Sequence, residues 1–118
     1  MKITIWGCRG SIPSPGPEKI IFGGNTSCLQ VTHKKTSLIF DGGSGIQRLG
    51  AGLDPEIKEV NILLTHLHLD HIMGLGYFQP FYDPDFTVNI YGPSGSSRKF
   101  GHAVETLFFP TVFSCTLK

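Results

Sequence analysis

Apolar residues in this chain fall in short runs cut by glycine and proline, a pattern that predicts strands more often than helices. Lys2–Trp6 alternates around Ile3 and Ile5 and predicts a strand. Cys28–Thr32 and Ser37–Phe40 predict two more, joined by a hairpin turn at His33–Thr36. Val60–Leu64 is short and apolar, as a buried strand would be, and Thr87–Tyr91 adds another. Helices are expected over Ile46–Leu53, ending before Pro55, and more weakly over Ile72–Phe81, where Gly74 and Gly76 interrupt. A last helix runs from a cap at Ser94 or Ser96 to about Leu107, with Val104, Leu107 and Phe108 as its apolar face and Pro110 as its stop. Between the first two strands lies "GCRGSIPSPGPEKIIFGGNTS", a patternless loop. Loops of that length inside a domain are usually functional or mobile. The order is β-rich at first and mixed later, which predicts an α/β (α+β) fold.

Length and composition narrow the picture. The 118 residues suffice for one small domain, 1–118, and not for two. A net charge of +1 argues against a broad electrostatic footprint on nucleic acid. His33-Lys34-Lys35, the longest basic cluster, reads as a solvated turn. Cys8, Cys28 and Cys115 show no CxxC spacing, and an odd count suits a reducing compartment, so a cytoplasmic protein is expected. The opening "MKITIWGCRG" is too short in apolar residues for a signal peptide or a membrane span.

The candidate chemistry sits in "LLTHLHLDHIMG", Leu63–Gly74. In an extended segment, residues i and i+2 point the same way, so His66 and His68 can chelate one ion. In a helix they would diverge by about 200°. Leu67 and Leu69 would then face the core. Asp70 and His71 are adjacent, and a turn that re-aims them would serve a second position beside the first. Such a set fits two metals sharing a bridging water or hydroxide. The bland alternative, a hydrogen-bonded structural histidine, explains one such residue far better than three with an aspartate.

"THLHLDH" resembles the HxHxDH signature of the metallo-β-lactamase-fold hydrolases. "WGCRGSIPSPGPE…FGGNTSC" followed by "LIFDGGSGIQRLG" resembles the branch that holds ribonuclease Z and the cyclic-phosphate phosphodiesterases. The resemblance implies an αββα sandwich with metals at one edge between two sheets. It implies His66 and His68 as ligands of a first zinc, and Asp70 and His71 as ligands of a second, with Mn or Fe as substitutes. Asp70 would also exchange a proton with the attacking water or the leaving group. Asp41, in "DGG", resembles the aspartate that supports the site by accepting a hydrogen bond from a metal-bound histidine; the other reading is a turn residue before two glycines. The implied substrate is a phosphodiester: a cyclic nucleotide, a cyclic phosphate, or the 3′ end of a precursor tRNA.

Other residues carry weaker expectations. Asn25, Thr26 and Ser27 could present amides to an anionic substrate, but ordinary turn chemistry is favoured. Arg9 meets a phosphate or is structural. His33 and His102 have no partner at ligand spacing. Trp6, Tyr77, Phe78 and Phe81 are expected in the core or a pocket wall.

The chain also departs from the family it resembles. Full-length members carry a second half with a third histidine for the first metal, a bridging aspartate and a last histidine. Nothing after Tyr91 resembles these, although "FFPTVFS" at Phe108–Ser114 resembles the segment before the family's next strand. The expectation is therefore an N-terminal half, with two ligands per metal and little or no activity. Its uncovered apolar face would seek a homodimer partner or the missing C-terminal half. The alternative is a non-catalytic metal-binding or assembly half-domain.

Overall fold

Each predicted strand forms where alternation or continuous aliphatic character called for it. The computed structural model describes residues 1–93 and 97–107. Its elements are β1 (Lys2–Gly7), β2 (Cys28–His33), β3 (Thr36–Phe40), α1 (Gly45–Ala51), β4 (Glu59–Leu63), α2 (Leu69–Ile72), β5 (Thr87–Tyr91) and α3 (Ser97–Leu107). Lys34, at φ 53, helps close the hairpin between β2 and β3. The Ser94 and Ser96 caps, Phe108, Pro110, Cys115, the "FFPTVFS" segment and the side chain of Leu107 lie outside what is described.

The strands make one mixed sheet in the order β1-β2-β3-β4-β5. The first three are antiparallel, and β4 and β5 continue parallel to β3. A register shift between Ile5 and Gly7 bulges β1 at Trp6. Alternation sends Ile39, Val60 and Ile62 to one face, where they are fully buried with Ile46 and Leu49 of α1 and with Leu75 and Phe78. Val104 of α3 joins the same core, with Phe100, Val88 and Ile90 packed against it. A polar chain is embedded at this layer: the Trp6 indole donates to Gln30 (3.0 Å), and the Gln30 amide donates to Ser37 (3.0 Å). Buried polar groups are tolerated when partnered in this way.

The other face has no such cover among the described residues. Two rows cross it in register: Ile3, Val31, Leu38, Asn61, Asn89, and Ile5, Leu29, Phe40, Leu63, Tyr91. Ile3 is 59% and Ile5 64% exposed.

Three expectations are corrected. Ile72–Phe81 is not one helix: α2 stops at Ile72, and 3-10 turns follow at Leu75–Tyr77 and Gln79–Tyr82. Phe78 breaks the run by taking an extended conformation (φ −81, ψ 102) two residues before Pro80, which lacks an N–H to continue a helix. Phe78 is buried and meets Phe81 edge-on at 5.7 Å, but Tyr77 is 64% exposed and is not core. Leu69 is also exposed, because the chain enters α2 there and the strand-like alternation that would have buried it ends.

Candidate metal centre

Parallel pairing aligns the C-terminal ends of β3 and β4, with Phe40 opposite Leu63. The chain leaves both strands at the same edge, where open α/β sheets commonly form their sites. Asp41 follows β3 directly. Its amide donates to the Leu63 carbonyl at 3.0 Å, and its backbone turns left-handed at φ 62. Aspartate tolerates that region better than most residues.

From this turn the buried Asp41 carboxylate gathers four donors. Oδ1 accepts from the Thr65 amide and the Thr65 hydroxyl, each at 2.9 Å. Oδ2 accepts from the Ser27 hydroxyl (3.1 Å) and faces His71 Nδ1 at 2.8 Å. Burial pushes the Asp41 carboxyl up, but the Thr65 amide, His71 and the Thr65 hydroxyl together hold it below the ordinary carboxylate value. An ionised carboxylate only accepts, so Nδ1 of His71 donates to it, and in the neutral ring Nε2 is the acceptor. The same logic reaches His66. The Thr65 hydroxyl spends its hydrogen on Asp41 and accepts from His66 Nδ1 at 3.0 Å, which in the neutral ring leaves Nε2 of His66 as the acceptor. One carboxylate thus sets the tautomer of two histidines.

The imidazoles cluster around His66. Its ring centre lies 4.4 Å from that of His68 and 4.1 Å from that of His71. His66 and His68 precede α2 in non-helical chain, while Asp70 and His71 ride on its single turn. Asp70 Oδ2 is 3.6 Å from His71 Nε2 and accepts from the Ser11 amide at 2.9 Å. The Ser11 amide, aided by the nearby His71 and His68, lowers the Asp70 carboxyl against a smaller opposing cost of desolvation.

Close backbone approach explains "DGGSG". The Gly42 amide donates to the His71 carbonyl (2.6 Å), and the Gly74 amide donates to the Gly42 carbonyl (2.9 Å). A Cβ on Gly43 would overlap the Asp70 carbonyl, and one on Gly74 would overlap the Gly43 carbonyl.

The weaker candidates have structural duties. Thr26 is fully buried, its amide donates to the Ser44 hydroxyl (2.9 Å), and its own hydroxyl accepts from the Ser44 amide (2.8 Å). Asn25 accepts from the Ser44 hydroxyl (3.2 Å), and Ser27 joins the Asp41 network. Arg9 Nε donates to the Ile12 carbonyl at 3.2 Å. His33 ends β2 and His102 lies exposed on α3, both apart from the cluster. Burial, with the Asp41 charge nearby, pushes the Cys28 thiol up to about 12, which keeps it in the thiol form. Sequence reasoning missed Thr65 and Ser11. Thr65 had a signal in its position just before His66; Ser11 had none.

Among the described residues, no three or more His, Cys, Asp or Glu side chains converge tightly enough to hold an ion between them. The donors present suit zinc in kind, since imidazole nitrogens held in the accepting tautomer and a carboxylate are its usual ligands. In number they fall short of a full shell.

A mixed sheet with helices on one face and a His/Asp cluster at the ends of parallel strands makes this an α+β protein. Residues 21–85 match the Metallo-beta-lactamase superfamily model, and the chain belongs to that superfamily. It is 28% identical over 109 residues to ribonuclease Z of Natronomonas pharaonis, covering 90% of this chain and 33% of that protein. It is 33% identical over 100 residues to ribonuclease Z of Methanothermobacter thermautotrophicus, covering 80% and 30%. The human tRNase Z short form superposes with a TM-score of 0.63 at 26% identity, over 96% of this chain and 43% of that one. These similarities place the N-terminal part of the fold in the ribonuclease Z-like branch. The chain spans about a third of the length of the curated relatives it matches. The family implies metal ions without identifying them.

Proposed function

We propose that this chain supplies the His66–His71 portion of a zinc-dependent phosphodiesterase centre. The observation that carries the reading is the Asp41–Thr65 network, which holds Nδ1 of His66 and of His71 as a donor, so that in the neutral rings Nε2 is left as the acceptor. His66 and His68 would hold one ion, Asp70 and His71 a second; Mn or Fe are the substitutes. Bound there, such ions supply a water of lowered pKa and a clamp on the scissile group. Asp41 keeps the proton on Nδ1 of His71, and Thr65 relays the same constraint to His66. Asp70 takes a proton from the attacking water or delivers one to the leaving oxygen. The substrate is a cyclic nucleotide, a cyclic phosphate or an RNA 3′ end. The ribonuclease Z and tRNase Z relatives support the RNA choice.

Catalytic zinc takes three protein ligands and an open position, whereas this stretch offers two per ion. Zinc titration of the purified chain is therefore expected to give binding weaker than micromolar, lost in His66→Ala and in His68→Ala, with little turnover of a chromogenic phosphodiester. Micromolar binding with clear turnover would overturn the expectation of a partial centre; weak binding indifferent to both substitutions would overturn the metal assignment. The missing third donor among the described residues also favours a second reading, a non-catalytic metal-binding or assembly half-domain. A completed centre that still fails to hydrolyse phosphodiesters would select it.

The uncovered sheet face suits a partner, either a second copy or a C-terminal half of the same fold. An apolar surface of this kind marks an association site. Sedimentation of the chain alone is expected to show concentration-dependent self-association, reduced by Ile5→Lys. A cytoplasmic setting goes with the proposal; among the described residues Cys8 and Cys28 are free thiols. Among the described residues no helix is long and apolar enough to cross a membrane.

A further inference from the structure

The long loop between β1 and β2 touches the centre at one tight turn. The Ile12 amide donates to the Gly10 carbonyl at 3.0 Å, closing a three-residue γ-turn with Ser11 at its apex and at φ 71. This positive-φ form of the turn is rare and strained, and a non-glycine residue holds it only where the surroundings enforce it. Here two constraints do so. Arg9 Nε donates to the Ile12 carbonyl (3.2 Å), bracing the turn from outside. The ends of the loop are tied by the Arg9 amide to Asn25 (3.0 Å) and the Ser14 amide to Gly24 (2.9 Å). The result is that the Ser11 N–H points at Asp70 Oδ2, 2.9 Å away across 59 residues of sequence.

We infer that the Ser11 amide is a positioning group for Asp70, with Arg9 as the brace that holds the turn in place. The inference rests on the reading of Asp70 as a metal and proton ligand given above. A carboxylate on a one-turn helix has little local structure to fix its rotamer; a backbone donor delivered by a braced turn fixes it before any ion arrives. Ligand orientation of this kind governs metal affinity, and its loss typically weakens binding 10- to 100-fold. The loop and the centre are coupled, so the loop cannot move away without releasing Asp70.

The test is NMR on the 118-residue chain, with zinc titrated into it. In the wild type the Ser11 amide is expected to exchange slowly with solvent and to lose that protection in Asp70→Ala, which has no acceptor. Ser11→Pro, which removes the N–H and cannot adopt positive φ, should weaken zinc binding about tenfold. Ser11→Gly, which keeps the N–H and relaxes the backbone, should bind as the wild type does. Arg9→Met leaves the Ser11 amide in place and guards against misfolding of the proline variant; it should speed Ser11 exchange and weaken zinc binding several-fold. A Ser11 amide that exchanges as fast as an open loop, or Ser11→Pro and Arg9→Met binding zinc like the wild type while His66→Ala and Asp70→Asn do not, would overturn the positioning role alone. If His66→Ala and Asp70→Asn leave zinc binding unchanged, the metal reading falls and the positioning role falls with it.

Discussion

Asp41→Ala is expected to destabilise the chain by about 3 kcal/mol and to scatter the histidine cluster. The substitution strands the Thr65 amide, the Thr65 and Ser27 hydroxyls and His71 Nδ1, all of which the carboxylate now accepts. Each buried polar group left without a partner costs roughly 1–3 kcal/mol, and the partial exposure of Thr65 and His71 keeps the sum near the lower end. Alanine also lacks the tolerance of aspartate for the left-handed backbone at φ 62. Asp41→Asn separates the two effects: it suits the backbone but turns one acceptor into a donor facing donors, and should lose about half as much. Urea unfolding measures both, and zinc affinity should drop 10- to 100-fold in either variant. The pH dependence follows from the lowered Asp41 carboxyl. A carboxyl whose folded pKa lies below its unfolded value binds fewer protons when folded. Its stabilisation is present above the unfolded value of about 3.9 and is lost as pH falls through the folded one. The wild type should therefore lose stability as pH falls from about 3.9 through the folded value, and Asp41→Asn should lose this part of the slope. An unchanged acid limb would remove Asp41 from its assigned place.

Gly43→Ala should be nearly as damaging, although it removes no interaction. The added methyl meets the Asp70 and Ser27 carbonyls and the Thr26 hydroxyl, so backbone on two sides must give way. Overpacking of this kind costs about 1–3 kcal/mol, with rigid backbone neighbours placing it high in that range. The displacement falls on the segment that carries Asp70 and His71, so the His71 Nδ1 to Asp41 bond should lengthen and zinc binding weaken by about tenfold. Thermal unfolding and the His71 ring resonances report the two consequences separately. A variant as stable as the wild type with unshifted His71 resonances would show that the two backbone segments have slack between them.

The strands were legible because alternation and β-branched runs encode them locally. Val60 and Ile62 alternate with Asn61 in a run that reads as a buried strand, and both are fully buried. The histidine cluster was legible for a related reason: the i, i+2 spacing of His66 and His68 carries geometry by itself, and "THLHLDH" is a local string. The helix over Ile72–Phe81 was misread because apolar content does not reveal that Phe78 turns extended before Pro80 to put its ring in the core.

Sequence by itself thus determined the strands, the α+β class, and which residues offer ligand chemistry. Only the tertiary structure decided how those residues are held. Parallel pairing of β3 with β4 brings Asp41 to Thr65, 24 residues later, and from there to His66 and His71. The γ-turn at Ser11 reaches Asp70 across 59 residues. Hydrogen bonds between distant segments leave no periodic trace in either segment, because each donor and acceptor is an ordinary turn residue until the sheet places them together. The sheet fixes their separation, and their separation makes Nδ1 the donor in His66 and His71.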